Sequence, residues 1–114
     1  MKKLLSLTVI LIATMCLFLT GCVNEGMADK INKKADSDQG YTYQQLISDY
    51  NSPTIDVNLL AGRTVIYVAN CKAQNALEEK LDNKEEVKGV IVIVALDRVI
   101  SAEYKVITED DYKN

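Results

Sequence analysis

The chemistry open to this chain centres on its three cysteine thiols, since the sequence contains no histidine. Without histidine, neither a Ser-His-Asp nor a Cys-His arrangement can be assembled. Cys22 is distinctive because it follows Leu19, Thr20 and Gly21 where an apolar stretch gives way to a charged one. A thiolate is a strong nucleophile, and the small residue before it leaves the backbone accessible to an enzyme. This position is therefore suited to covalent modification at sulfur.

The residues before Cys22 have the organisation of a secretory signal peptide, which we assign to residues 1–21. Lys2 and Lys3 supply the positive start, and residues 4–19 are apolar apart from one serine and two threonines. Gly21 supplies the small residue that a processing site requires. The apolar stretch of about sixteen residues is shorter than the ~20 residues of a stable membrane-spanning helix, so a simple transmembrane anchor is disfavoured.

The tetrapeptide Leu19-Thr20-Gly21-Cys22 resembles the lipobox of bacterial lipoproteins. In that class a diacylglycerol is attached to the cysteine sulfur, and cleavage between the residues corresponding to Gly21 and Cys22 makes the cysteine the first mature residue. The resemblance implies that Cys22 is lipidated and that the acyl chains hold the protein on a membrane. The alternative is an ordinary secretory signal that happens to be followed by a cysteine.

The mature part, residues 22–114, is long enough for one domain with a single modest core. The signal holds two of the thirteen basic residues and none of the sixteen acidic ones, so the mature part has a formal net charge of −5. This balance excludes the basic surface that nucleic-acid binding requires.

Cys71 is the only other mature thiol, so no internal disulfide can form. We predict that Cys71 is buried, the alternative being an intermolecular disulfide or a redox role.

Periodicity predicts an α+β fold for residues 41–114: an antiparallel sheet of about three strands with two or three short helices packed on one face. Residues 22–40 read as a lipidated, partly disordered tether with a marginal helix over 27–35. Thr42 and Gln45 fit a capping box before a helix at 43–50. Strands are predicted around 63–69, 90–96 and 99–106, with an amphipathic helix over 73–83. Asp97-Arg98 occupies the position of a two-residue hairpin turn.

No further motif indicates catalysis, a metal site or a cofactor. The segment Asp36-Ser37-Asp38-Gln39-Gly40 begins like a calcium loop, but its twelfth position is Ile47 rather than a bidentate glutamate. The acidic runs near the C-terminus are typical of solvated surface. We therefore expect a protein that is not an enzyme.

The tyrosines are the strongest indication of a binding surface, because tyrosine combines a large rigid area with a polar tip. Tyr41 precedes the predicted helix and is expected to be exposed, whereas Tyr43 lies on the apolar face of that helix. A partner-binding patch of Tyr41, Tyr43 and Asn51 is one hypothesis. The alternative for Tyr43 is a place in the core.

The order of motifs resembles the SmpA/OmlA (BamE-like) small lipoproteins and related beta-lactamase-inhibitor-like repeat units. The matching residues of the capped helix and its exit are Thr42, Gln45, Leu46, Pro53 and Thr54, and those of the hairpin are Asp97, Arg98, Val99 and Ile100. Asn51 stands near the family's glycine, the hairpin glycine is missing, and the helix over 73–83 resembles an insertion. The resemblance implies a non-enzymatic domain that binds proteins at the cell envelope.

The leading hypothesis is thus a lipid-anchored, non-catalytic envelope lipoprotein that binds a protein partner in an assembly or accessory role. The alternatives are an immunity- or exclusion-type lipoprotein that sequesters a ligand or peptide, which predicts a concave apolar pocket beside the sheet, and a structural lipoprotein without a specific ligand. Lysine outnumbers arginine eleven to two, which favours a Gram-positive source and the outer face of the cytoplasmic membrane. In a Gram-negative source the outer membrane is expected. The sequence does not fix the oligomeric state.

Overall fold

A computed structural model describes residues 23–60 and 62–113 of the chain. The expected signal peptide, its cleavage point after Gly21 and the lipidation site Cys22 lie outside the described residues. The described elements are, in chain order, helix α1 (Glu25–Ala35), helix α2 (Tyr43–Tyr50), strand β1 (Ile55–Leu59), strand β2 (Gly62–Val68), helix α3 (Gln74–Asp82), strand β3 (Lys88–Ala95), strand β4 (Arg98–Val106) and a 3₁₀ turn (Glu109–Asp111).

The strands form one antiparallel sheet with the order β1-β2-β3-β4, which confirms the predicted α+β class and the antiparallel pairing. The described part of the chain has four strands, where about three were predicted. The additional strand, β1, has the sequence IDVNL, and only its first residue, Ile55, is buried. A short edge strand with two polar residues has too weak an apolar pattern to be distinguished from a loop.

The two central strands carry apolar side chains on both faces of the sheet. Residues 64–68 of β2 are all buried, and so are residues 89–92 of β3. On one face they form an apolar cluster with Ile31 of α1 and Leu46 of α2. On the other face they form a second cluster with Leu77 of α3 and Tyr112. The prediction that the helices pack on one face is therefore wrong, because a sheet that is apolar on both sides must be covered on both.

Helix α1 belongs to the domain, so the prediction of a tether over residues 22–40 is wrong for most of that segment. The Asn24 side chain caps the helix by accepting the Met27 N–H at 3.1 Å, and Ile31 is fully buried. The Asn32 carboxamide pairs with the outer edge of β4. Its Nδ2 donates to the Ala102 carbonyl and its Oδ1 accepts the Ala102 N–H, and both hydrogen bonds measure 2.8 Å. The marginal helix predicted over 27–35 is confirmed as part of α1. Its three buried apolar residues are too few to show that it packs on the sheet, and the pairing of Asn32 leaves no trace in sequence.

The β3–β4 hairpin turns at Leu96-Asp97, one residue earlier than the predicted Asp97-Arg98. Both turn residues have positive φ, 50° and 64°, as a type I′ turn requires. Val94 pairs with Val99 and Ile93 with Ser101, so Ile100 has no partner on β3. This β-bulge breaks the simple alternation of inward and outward residues at the start of β4: Val99 is buried, Ile100 is 55% exposed, and Ala102 is buried again.

The remaining local predictions are confirmed. The capping box of Thr42 and Gln45 is formed, and α2 ends at Tyr50. Asn51 then combines a φ of 65° with a ψ of −163° at the end of the helix, an extended positive-φ conformation that lies outside the left-handed helical region and that glycine adopts most readily. Cys71 is buried, which removes the exposure that an intermolecular disulfide would need.

Replacing Asn32 by alanine is expected to lower the free energy of unfolding by about 2 kcal/mol, because the N–H and C=O of Ala102 would both lose their partner. Asn75→Ala is the matched control, since Asn75 is an exposed helix residue and the change in helix propensity is the same. Its effect should stay below about 0.5 kcal/mol. Urea unfolding followed by circular dichroism measures both. Equal small effects would show that the pairing of Asn32 with Ala102 does not stabilise the domain.

Candidate functional site

The three residues predicted to form a partner-binding patch do not lie together. Tyr41 is 4% exposed, so the expectation that it is exposed is wrong. Tyr43 is half-buried at the start of α2. Asn51 is exposed at the other end of that helix, about 12 Å away at 1.5 Å per residue.

Tyr41 is buried because residues 41–43 pair with the outer edge of β4 before the helix begins. The Val99 N–H donates to the Tyr41 carbonyl and the Tyr43 N–H donates to the Asp97 carbonyl, both at 2.8 Å. Thr42 bridges to Arg98 and at the same time caps α2. Tyr41 therefore precedes the helix in a sheet-like position, Tyr43 opens the first helical turn, and their side chains join different polar groups.

The first polar group connects α1 with α2. The Tyr41 hydroxyl donates to the Asp49 carboxylate, and Lys34 Nζ lies 2.9 Å from Asp49 Oδ2. The same ammonium lies 5.0 Å from the centre of the Tyr41 ring, within cation–π range. The C-terminal end of α1 is thus held against α2 by one carboxylate shared between a phenol and a lysine.

The second polar group connects α2 with the first hairpin. Arg63 donates from Nε and Nη2 to the two oxygens of Asp56, at 2.7 and 3.0 Å. Its guanidinium lies 4.0 Å from the centre of the Tyr43 ring, and Nη2 also donates to the Tyr43 hydroxyl at 2.9 Å. The Tyr43 hydroxyl in turn donates to Asp56. The planar guanidinium is suited to this combination of a bidentate pair and aromatic stacking.

The electrostatics of both groups favour neutral phenols and ionised carboxylates. Burial acts to raise the pKa of Asp56, but hydrogen bonds from Arg63 and Tyr43 outweigh it and hold the pKa below its usual value. Burial likewise acts to raise the pKa of Asp49, but hydrogen bonds from Tyr41 and Lys34 and the charge of Lys34 outweigh it and lower that pKa. Burial and the hydrogen bonds to the carboxylates raise the pKa of Tyr41 and Tyr43. The tyrosines are therefore hydrogen-bond donors at neutral pH, and the geometry describes structural links between elements.

A depression of about 400 Å³ lies between the end of α1 and helix α2. Apart from Gly40, its lining residues all carry a polar group in the side chain; they are Lys34, Ser37, Gln39, Gly40, Tyr41, Gln45, Ser48 and Asp49. It differs from the concave apolar pocket that a ligand-sequestering protein was expected to have beside the sheet. The described residues also contain no group of three acidic or cysteine side chains placed to hold a metal ion.

A second candidate surface lies where the two hairpins turn, and the sequence analysis missed it. Leu59 pairs with Gly62 and Arg63 with Val94, so both turns lie at the same end of the sheet. Leu60 in the first turn and Leu96 in the second are each 98% exposed. We use the name hairpin-end surface for the surface formed by Leu60, Leu96, Arg98, Tyr43 and Arg63. A sequence signal existed, because leucine is unusual in two-residue turns, where asparagine and glycine are preferred.

Comparisons with known protein families, with curated proteins and with solved structures give no match for this chain. Among the described residues, none of the helices combines the length and apolar character needed to cross a membrane.

Replacing Asp56 by asparagine is expected to lower the free energy of unfolding at pH 7 by at most about 1 kcal/mol, since the pair is partly exposed. The lowered pKa of Asp56 means that its contribution is present above the usual aspartate pKa of about 4 and is lost as pH falls through the folded-state value. The difference between wild type and variant should therefore shrink below pH 4. Asp29→Asn is the control, because Asp29 is exposed. A difference that is constant from pH 7 to pH 2.5 would contradict the ionic role of Asp56.

Proposed function

We propose that this protein is a lipid-anchored, non-catalytic lipoprotein of the cell envelope that binds a protein partner. The observation that carries the proposal is the tetrapeptide Leu19-Thr20-Gly21-Cys22 between an apolar leader and the folded domain. Lipidation at Cys22 would place the acyl chains directly before the first described residue, Val23. We assign the outer face of the cytoplasmic membrane as the site of anchoring, or the outer membrane if the source is Gram-negative.

The start of helix α1 determines how the anchored domain would sit. Val23 packs against the core and Asn24 is the helix cap, so two residues at most separate Cys22 from the ordered domain. Two extended residues span no more than about 7 Å. The domain would therefore rest close to the headgroups, rather than stand off on the tether that the sequence suggested.

The direction of α1 supports one orientation for a domain anchored through Cys22. Lys34, near the end of the helix, lies over Tyr41, whose carbonyl bonds to Val99 near the start of β4. The start of α1 must then lie toward the far end of β4, away from the hairpin turns. Helix and strand rises place the hairpin-end surface about 25 Å from the start of α1.

The observed surfaces favour a protein partner over a sequestered small ligand. The sequestration hypothesis expects an enclosed apolar pocket, whereas seven of the eight residues that line the depression beside Tyr41 have charged, amide or hydroxyl side chains. The tyrosines of the sequence hypothesis are bonded to carboxylates within the domain. The two fully exposed leucines are instead side chains that a partner protein could bury.

The Cys22→Ala variant is expected to lose fatty-acid incorporation and to retain the length of the uncleaved precursor. Cells fed an alkyne fatty acid, followed by click labelling and gel electrophoresis, measure both properties. Cys71→Ala is the matched control, since it removes a buried thiol and should keep the label. Label that persists in Cys22→Ala, or disappears in Cys71→Ala, would contradict lipidation at Cys22.

Reversible crosslinking of intact cells, followed by pull-down and mass spectrometry, tests the protein partner. We expect one envelope protein to be enriched with the anchored form. The control carries Cys22→Ala behind a cleavable secretory signal, so that it is exported without lipid and should enrich that protein less. If nothing is enriched above this control, the partner-binding role fails and a soluble ligand becomes the better explanation.

A further inference from the structure

The hairpin-end surface presents its apolar groups in an arrangement that the fold itself does not require. Leu60 and Leu96 are each 98% exposed, so neither contributes to the core. The turns of β1–β2 and β3–β4 are separated by two strand spacings, about 10 Å. Two leucines at this distance could enter neighbouring apolar subsites of one partner.

Leu96 also occupies an unfavourable backbone conformation. Its φ is 50°, in a region of backbone conformation that residues other than glycine, asparagine and aspartate rarely adopt. Asparagine or glycine would suit this turn better, and neither would expose an apolar side chain. A residue whose conformational preference conflicts with its position in the fold is expected mainly where a function requires that side chain.

The polar groups beside the leucines are those that protein interfaces favour. The chain contains two arginines, and both lie at this end, Arg63 at the start of β2 and Arg98 at the start of β4. Arg63 stacks on Tyr43, and Arg98 forms no ion pair with any of the residues described in 23–60 and 62–113. Tyrosine and arginine are enriched among residues that dominate binding energy.

The anchor geometry identifies the kind of partner. The hairpin-end surface lies at the opposite end of the domain from the start of α1, so it faces away from the bilayer that would hold Cys22. A two-fold symmetric contact between two hairpin ends would place the two anchors at opposite ends of the dimer. Two copies held on one membrane cannot form that contact.

We propose that the hairpin-end surface is the binding site for a different protein, one with an apolar pocket that receives Leu60 and Leu96. This inference rests on the proposed function, because the anchor sets the direction of the surface. Of the residues suggested from sequence, Tyr43 belongs to this site, while Tyr41 and Asn51 lie outside it.

The test places the photocrosslinking residue p-benzoylphenylalanine at position 60 or 96 of the full-length chain in cells. Position 86 is the control, since Glu86 is exposed in the connection before β3, at the other end of the sheet. Irradiation should give an adduct with the same protein from positions 60 and 96, identified by mass spectrometry, and none from position 86. An adduct with a second copy of this chain or with lipid would overturn the proposal.

A failure of this site can be distinguished from a failure of the proposed function. If the reversible crosslinker enriches a partner but positions 60 and 96 give no adduct with it, the site is wrong and the function stands. If fatty-acid labelling is absent or no partner is enriched, the proposed function fails as well.

Two single variants test the leucines without disturbing the fold. Leu60→Ser is measured with the photocrosslinking residue at position 96, and Leu96→Asn is measured with it at position 60. Each variant should lower the adduct yield at least tenfold, the effect expected from losing one buried leucine. Val106→Ser, at the opposite end and 39% exposed, should change it less than twofold. The melting temperature of Leu96→Asn should equal or exceed that of the wild type, because asparagine accepts positive φ. Unchanged yields, or a loss that follows a lowered melting temperature, would contradict the proposal.

Discussion

Strands β2 and β3 present apolar side chains to both sides of the sheet, and the placement of the helices follows from this constraint. A face left uncovered would expose a row of valine and isoleucine side chains, each worth about 1.5–3 kcal/mol on burial. Helices α1 and α2 cover one face, while α3 and Tyr112 cover the other. A domain of this size has few residues to spare, so even the segment directly after Cys22 takes part in the core.

The outer edge of β4 imposes a second requirement, because unpaired backbone groups on an edge strand invite pairing with other chains. Residues 41–43 pair with its first residues, and the Asn32 carboxamide pairs with Ala102 further along. Both contacts come from segments on the same side of the molecule. The edge thereby helps to fix α1 and the start of α2, and with them the direction in which Tyr43 and the hairpin turns point.

Sequence reasoning succeeded where one short stretch determines its own structure. Thr42 and Gln45 define the start of α2, and the β-branched runs define β2 and β3. It failed where distant residues decide. The docking of helix α1 on the sheet depends on Asn32 meeting Ala102, seventy residues away, and the bulge at Ile100 depends on the register with β3. The burial of Tyr41 follows from its pairing with Val99. The exposed leucines could have been noticed, because the turn geometry disfavours them.

The short connection between Cys22 and α1 has a consequence for how an anchored protein would search for its partner. A long flexible tether lets a domain sample a large hemisphere, which dilutes its effective concentration at any one height. With Val23 already packed on the core, a domain anchored through Cys22 would mainly diffuse laterally and rotate about the membrane normal. The hairpin turns would then sweep a thin layer at a fixed height, and only partners whose binding surface reaches that layer would meet them.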